Sequence, residues 1–382
     1  MQPTSVLRRA RLAAFAAVQT SVRAAAGGRL EIAAVDAFRL REPVSRRGYT
    51  ILRLRSAGGL AGYGECAAAE PAALDEARRA LLGQPATAYE ALDARMPVRA
   101  LAGAVNMALL DLIGHSANAP VCEVLGGPTR RKARALAPVR GESDAELVAA
   151  CRRARAAGFR AFAVPVPRPA ARNQGQPYAS AVLRRLETLR GALGAGADFV
   201  LDAGGALTPG DAARVAAEIE RFHLLWLDEP CAPGGLAALR KIGAESVTPL
   251  GFGRALAGGG DILDLLREEV ADLVRPELSL LGISRIRKMA ALAETYYIAV
   301  APRHAGGPVG TAAALQLAAT LPNFFIQEAP FVEAAEDRAL RRALVREPVE
   351  AVSDGFFALP AGPGLGVTVD DAALASHREE GA

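Results

Sequence analysis

"DFVLDAGGALTPGDAARVAAEIERFHLLWLDEP", residues 198–230, is the stretch on which the fold turns. A short apolar run stops at Asp202, two glycines turn the chain, and a helical pattern follows. A second apolar run then stops at Asp228. Strand, helix and strand in this order read as one parallel β/α unit. Outward from it the rhythm repeats. "ALAPVR", "AFAVPV", "DFVLDAG", "LLWLDEP", "TPLGFG", "DLVRPELS", "IAVAPRH" and "FFIQEA" are eight apolar runs, and seven helical segments lie between them. Their number and short loops favour a closed barrel over an open sheet. The reading is an α/β chain whose barrel domain spans 129–345.

The segment 29–128 has a different texture. "RLEIAAVDAFRLREP" and "GYTILRLRSAGGLAGYGE" alternate like strands around a Gly-Gly turn, and helical patterns follow them. This predicts a separate α+β module. The stretch 346–382 is punctuated by Gly and Pro and is expected to pack back on that module. Residues 1–28 carry Arg8 and Arg9, a short apolar stretch from Leu12 to Val18, and a small-residue tail. Two readings stand for them, an export signal and a loose amphipathic extension.

Bulk properties exclude several classes. The formal charge is only +4, and no basic stripe interleaves with aromatics, so no nucleic-acid partner is expected. Cys66, Cys122, Cys151 and Cys231 show no C-x-x-C spacing, which argues against zinc and against a disulfide framework. No apolar run reaches the roughly 18 residues of a membrane span.

In a parallel barrel the functional face lies at the strand C-termini. Those positions hold Ala163, Pro165, Asp202, Asp228, Glu229, Gly253, Arg254, Glu277, Arg303, His304 and Glu328. Asp202, Asp228 and Arg254 stand 26 residues apart at each step, so they are expected side by side on consecutive strands. His115 and His223 fall on helical segments away from that face.

The chain resembles the enolase superfamily, of the mandelate racemase and muconate lactonising enzyme type. The phrases that carry the resemblance run in order through nearly the whole chain after residue 29. They are "GYGE" (62–65), "AGAVNMALLDLIGHSANAPVCEVLGGP" (102–128), "LDAGGALTP" (201–209), "LLWLDEP" (224–230), "GGPVGTAAALQLAATLPNFFIQE" (306–328) and "DGFFALPAGPGLGV" (354–367). The last of them look most like the sugar-acid, galactonate-type dehydratase branch. The resemblance implies an α+β capping domain over a modified (β/α)7β TIM-type barrel, and commonly a homo-oligomer. It also implies one Mg²⁺, held by three carboxylates at the ends of the third, fourth and fifth strands. That ion stabilises the enediolate formed when a base removes the proton α to a carboxylate.

Carried over position by position, the resemblance places metal ligands at Asp202 and Asp228, with Arg254 where the third carboxylate belongs. A guanidinium cannot ligate a cation. Two readings of the trio therefore stand: a two-carboxylate metal site, and an Asp–Arg–Asp ion cluster in which Arg254 fills the space of the ion. The second-strand basic pair is replaced by Ala163 and Pro165, and Gly204 stands where the dehydratase branch often has His. The seventh-strand His position holds Arg303, and His304 follows it by one.

The expected catalytic set is His304 as base, Glu277 orienting it, and Glu328 as an acid or substrate contact. The plainer alternatives pair Glu277 with Arg303 or Arg275, and Glu328 with Arg303 or Arg254. Arg254 and Arg303 are the expected contacts for a small carboxylate or sugar-acid ligand. Three functions follow: a divergent enzyme with impaired Mg²⁺ chemistry, a metal-independent protein that binds an acidic ligand, and a structural protein with a collapsed site. The first requires Glu277, His304 and Glu328 to point into one cavity.

Overall fold

The computed structural model describes residues 30–379, apart from 68, 233–235, 245 and 255–258. The reading of residues 1–28 therefore falls outside the described residues.

Strands β1 (Ile32–Arg41), β2 (Gly48–Ser56) and β3 (Ala61–Cys66) form an antiparallel sheet in that order. Ile32, Leu52 and Leu54 turn inward and helices cover them, as alternation requires when one face is buried. Helix Arg99–Ala117 packs against β3 and against helix Leu278–Glu294 of the barrel. By length and composition it is apolar enough to cross a membrane. In the fold it is a core helix, with 72% of that window buried. Its Asn106 is buried and exchanges hydrogen bonds with Ser284, Nδ2 to Oγ at 2.7 Å and Ser284 N to Oδ1 at 3.0 Å. This pair lies where the barrel helix bends at Gly282, and it fixes one module on the other.

The barrel strands are β4 (Lys132–Pro138), β5 (Ala161–Pro165), β6 (Asp198–Asp202), β7 (Trp226–Asp228), β8 (Leu250–Phe252), β9 (Leu273–Val274), β10 (Ala299–Val300) and β11 (Gln327–Glu328). They pair in parallel from β4 to β10, and β11 returns to pair with β4. Parallel bridges join Arg303 to Glu328 and Val300 to Phe324, which closes the ring between β10 and β11. Leu136, Ala161, Ala163, Val200, Trp226, Leu273, Ala301 and Ile326 fill the interior. The outward residues join the larger core under the helices. A barrel filled by side chains is a packed core, so the chemistry must sit above it.

The hairpin β12 (Val352–Ser353) and β13 (Phe356–Ala358) pairs antiparallel with the start of β4. The chain then turns to the sheet module, where Tyr63 Oη donates to Asp371 at 2.8 Å and Glu379 N donates to Arg39 O at 2.9 Å. The end of the chain therefore touches both modules.

Candidate functional site at the barrel mouth

The interior residues set the mouth by simple alternation. Two positions beyond Val200, Trp226, Leu273, Ala301 and Ile326 stand Asp202, Asp228, Arg275, Arg303 and Glu328. A side chain two residues on points to the same face of a strand. Five ionisable groups therefore rise directly above an apolar plug, where each needs a partner.

The fifth strand departs from this parity. Gly251 faces the interior, and a Cβ there would lie 2.5 Å from the Trp226 ring. Gly253 has φ +139°, which side-chain-bearing residues rarely adopt, and it re-aims the chain so that Arg254 enters the mouth. Glu229 fixes that turn, since its Oε1 accepts from Gly253 N at 2.7 Å and from Arg254 N at 2.8 Å. Glu229 is thus a support for the backbone that presents Arg254. Burial raises its pKa, against the pull of those N–H groups.

The groups form one unbroken chain of alternating charge. Arg254 Nη1 donates to Asp202 Oδ2 at 3.1 Å, and its Nη2 donates to Asp202 Oδ1 and to Asp228 Oδ2, the latter at 2.8 Å. Arg275 Nε donates to Asp228 Oδ1 at 3.0 Å, and its Nη2 to Glu328 Oε2. Arg303 Nε donates to Glu328 Oε1 at 2.9 Å, and its Nη1 to Glu277 Oε2 at 2.7 Å. The order is Asp202, Arg254, Asp228, Arg275, Glu328, Arg303, Glu277. Asp202, Arg254 and Arg303 keep part of their side chains exposed, whereas Asp228, Arg275, Glu277 and Glu328 are buried.

The electrostatics follow the geometry. Burial alone would raise Glu328, but Arg275, Arg303 and Arg254 outweigh it and hold its carboxyl at about 2. Burial raises Glu277, and Arg303 and Ser279 only partly oppose this. Burial would lower Arg254 and Arg275, yet the facing carboxylates raise both.

The expected catalytic trio does not assemble. His304 does not join Glu277 and Glu328. It follows inward-facing Arg303 by one residue, so its ring turns the other way. It is buried against the sheet module, with Nε2 2.9 Å from Gly307 O and 3.7 Å from Glu65 Oε1. Burial lowers its pKa to about 3, so it is a packed neutral ring. The shared cavity of Glu277, His304 and Glu328 is therefore absent from this arrangement. Of the two arginines that could pair with Glu277, Arg303 does so, and Ser279 Oγ also donates to it. Arg275 is the fully buried centre of the network, lying 4.9 Å over the Trp226 ring as well. Counting two residues on from Leu273 in the "LVRPE" run identifies it.

The residues present do not fit Mg²⁺. That ion demands near-octahedral oxygen ligation. At Asp202 and Asp228 the facing oxygens accept from Arg254, Arg275 and the Trp226 indole (Nε1 to Asp228 Oδ1, 2.8 Å). Among the described residues no group of three or more His, Cys, Asp or Glu side chains is placed to hold a metal ion. Ala163 and Pro165 place no titratable group at the end of β5.

Comparison with known proteins completes the picture. Residues 30–126 match the mandelate racemase/muconate lactonizing enzyme N-terminal domain family, and residues 146–373 match the enolase C-terminal domain-like family. A D-galactonate dehydratase family member from Streptomyces sp. is 32% identical over 302 residues, covering 73% of this chain and 67% of the relative. The D-xylonate dehydratase of Haloferax volcanii is 29% identical over 298 residues, covering 74% of this chain and 70% of the relative. A solved mandelate racemase/muconate lactonizing enzyme-like protein from Rubrobacter xylanophilus superposes with a TM-score of 0.82 at 26% identity, covering 93% of this chain and 99% of that one. With both domains matched and the capped barrel in place, this chain belongs to the enolase superfamily, in the galactonate dehydratase-like branch of the mandelate racemase/muconate lactonizing enzyme type.

Proposed function

We propose that this protein binds a small sugar-acid carboxylate at the barrel mouth, and that Mg²⁺-assisted removal of the α-proton is lost there or strongly reduced. The observation that carries this reading is the single guanidinium of Arg254 held between Asp202 and Asp228. It supplies by a fixed cation the charge balance that a bound ion supplies in an oxygen-ligated site. The named activities of the xylonate and galactonate dehydratase relatives support a sugar acid as the ligand class. Arg254 and Arg303 are the part-exposed cations that meet its carboxylate. Guanidinium–carboxylate pairing is geometrically specific and needs no metal.

The groups expected to act as bases are engaged elsewhere: Glu277 is tied to Arg303 and Ser279. His304 faces the sheet module, and Glu328 is held ionised by three arginines as a weak base. The experiment is titration calorimetry with galactonate and xylonate, with and without Mg²⁺, together with deuterium exchange in D₂O. Binding indifferent to Mg²⁺, with no metal-dependent exchange at the α-carbon, is the expected result. Mg²⁺-dependent incorporation of deuterium there would overturn the reading.

A further inference from the structure

A cavity lies on the flank of the barrel, and none of the mouth residues lines it. It is enclosed by the end of helix Asp144–Ala156, the loop that follows β11, and the chain on either side of Val349. Its volume is about 440 Å³, within the roughly 300–1,000 Å³ typical of small-molecule sites. Phe159, Phe331, Val332, Val349 and Val352 make its walls. Phe159 meets Phe331 edge to face at 5.7 Å and Phe357 in the same manner at 6.0 Å, which fixes the aromatic wall.

The charges around this cavity do not all cancel locally. Arg153 pairs with Glu333, and Arg341 pairs with Glu42 and Glu350. Arg338 donates to the carbonyls of Val332 and Glu333, and Glu347 accepts from Thr368. Arg342 is exposed, lines the cavity, and makes no hydrogen bond or ion pair with any described residue. Apolar walls with one uncommitted guanidinium at the rim suit an apolar body ending in a single oxyanion. The other charged groups of the lining already have partners, so the apolar walls and Arg342 are what remain to meet a ligand.

We infer that this flank cavity is a second binding site, for an amphipathic carboxylate such as a medium-chain fatty acid or an aryl-alkanoate, with Arg342 as its anion contact and the Phe159–Phe331 wall as its apolar seat. Octanoate is the probe, 1-octanol its uncharged counterpart, and titration calorimetry on the full chain the measurement. Saturable one-to-one binding of octanoate is expected, weaker for 1-octanol by about tenfold, the worth of one charge-assisted contact. Arg342→Ala, an exposed change that leaves the core intact, should weaken octanoate by a similar factor. Val349→Trp should fill the chamber and abolish binding, with galactonate affinity at the mouth unchanged. Should Val349→Trp fail to fold, Arg342→Ala and the octanol comparison decide. Absence of saturable octanoate binding, equal affinity for octanol, or full affinity in Arg342→Ala would each overturn the inference. So would self-association through this face that excludes octanoate.

Discussion

Arg254 Nη2 lies 2.8 Å from Asp228 Oδ2 and bonds Asp202 with the same nitrogen, so one side chain joins the ends of the third and fourth barrel strands. Neither carboxylate can turn to an ion without releasing the guanidinium. Restoring an acidic group there should reverse the exchange. In Arg254→Glu, Mg²⁺ should bind and raise the melting temperature, whereas the parent protein should show neither effect. Without Mg²⁺ the variant should be less stable, because the new carboxylate then faces Asp202 and Asp228 with no cation between them. If Arg254→Glu gains no Mg²⁺ affinity, Arg254 is not what keeps the ion out.

Arg275 carries more of the fold than of the surface chemistry. It is fully buried between Asp228 and Glu328, over the Trp226 ring, and Nη1 also donates to Ala301 O at 2.8 Å. Its removal leaves Asp228 with Arg254 and the Trp226 indole and Glu328 with Arg303, so two buried carboxylates share one cation fewer and lose the most deeply buried one. Arg275→Met should therefore cost about 3–5 kcal/mol of stability. Urea unfolding measures this directly. A loss under about 1 kcal/mol would mean that the neighbouring arginines rearrange to replace it.

Much of this arrangement is legible in the residues, and the failures have a common cause. The alternation of "DFVLDAG" and "LLWLDEP" places Asp202 and Asp228 at the mouth, because a strand of period two leaves little choice of face. The same rule places Arg303 inward and turns His304 away, and Arg275 inward above Leu273. What pattern alone does not supply is the backbone at the strand ends. Arg254 reaches the mouth only through the left-handed turn at Gly253, pinned by Glu229. Nor does it supply partners across the barrel. Glu277 has Arg275 two residues away in the sequence yet meets Arg303 from the next strand, since Arg275 is already taken up by Asp228 and Glu328. The flank cavity left no signal because its walls come from segments nearly two hundred residues apart, such as Phe159 and Val349.

Arg303 offers a direct test of the mouth as a carboxylate site. Its side chain is partly exposed and spans Glu328 and Glu277. In Arg303→Gln the fold should survive, because Glu328 keeps Arg275 and Glu277 keeps Ser279. Glu277, already raised by burial, should then take up a proton. Galactonate affinity should fall about tenfold or more, as expected for the loss of one charge-assisted contact. Calorimetry beside a circular dichroism melt separates ligand loss from unfolding. Unchanged affinity in the folded variant would place the ligand elsewhere.

The seam between sheet and barrel should show a pH response that two groups largely hide from each other. His304 is buried, and burial first, then Arg341, Arg47 and Arg303, lower it to about 3, against the Gly307 carbonyl. The unfolded chain takes up this proton below about pH 6.5 and the folded chain does not. The stabilisation from His304 is therefore complete above that pH and shrinks as pH falls toward 3. Glu65 sits 3.7 Å away, near Tyr49 and Glu350. Burial raises it to about 7, although the N–H groups of Gly310 and Gly307 and the charge of Arg341 pull it down. The folded chain keeps this proton where the unfolded chain releases it, so the contribution of Glu65 is present below about 4.5 and is lost as pH rises toward 7. Between about pH 5 and 6.5 the two slopes oppose, each at most about 1.4 kcal/mol per pH unit. His304→Gln should expose the downward slope with rising pH, and Glu65→Gln the upward one. Urea unfolding at half-unit steps through this window reads both, and two variants that both track the parent would refute the buried protonation states.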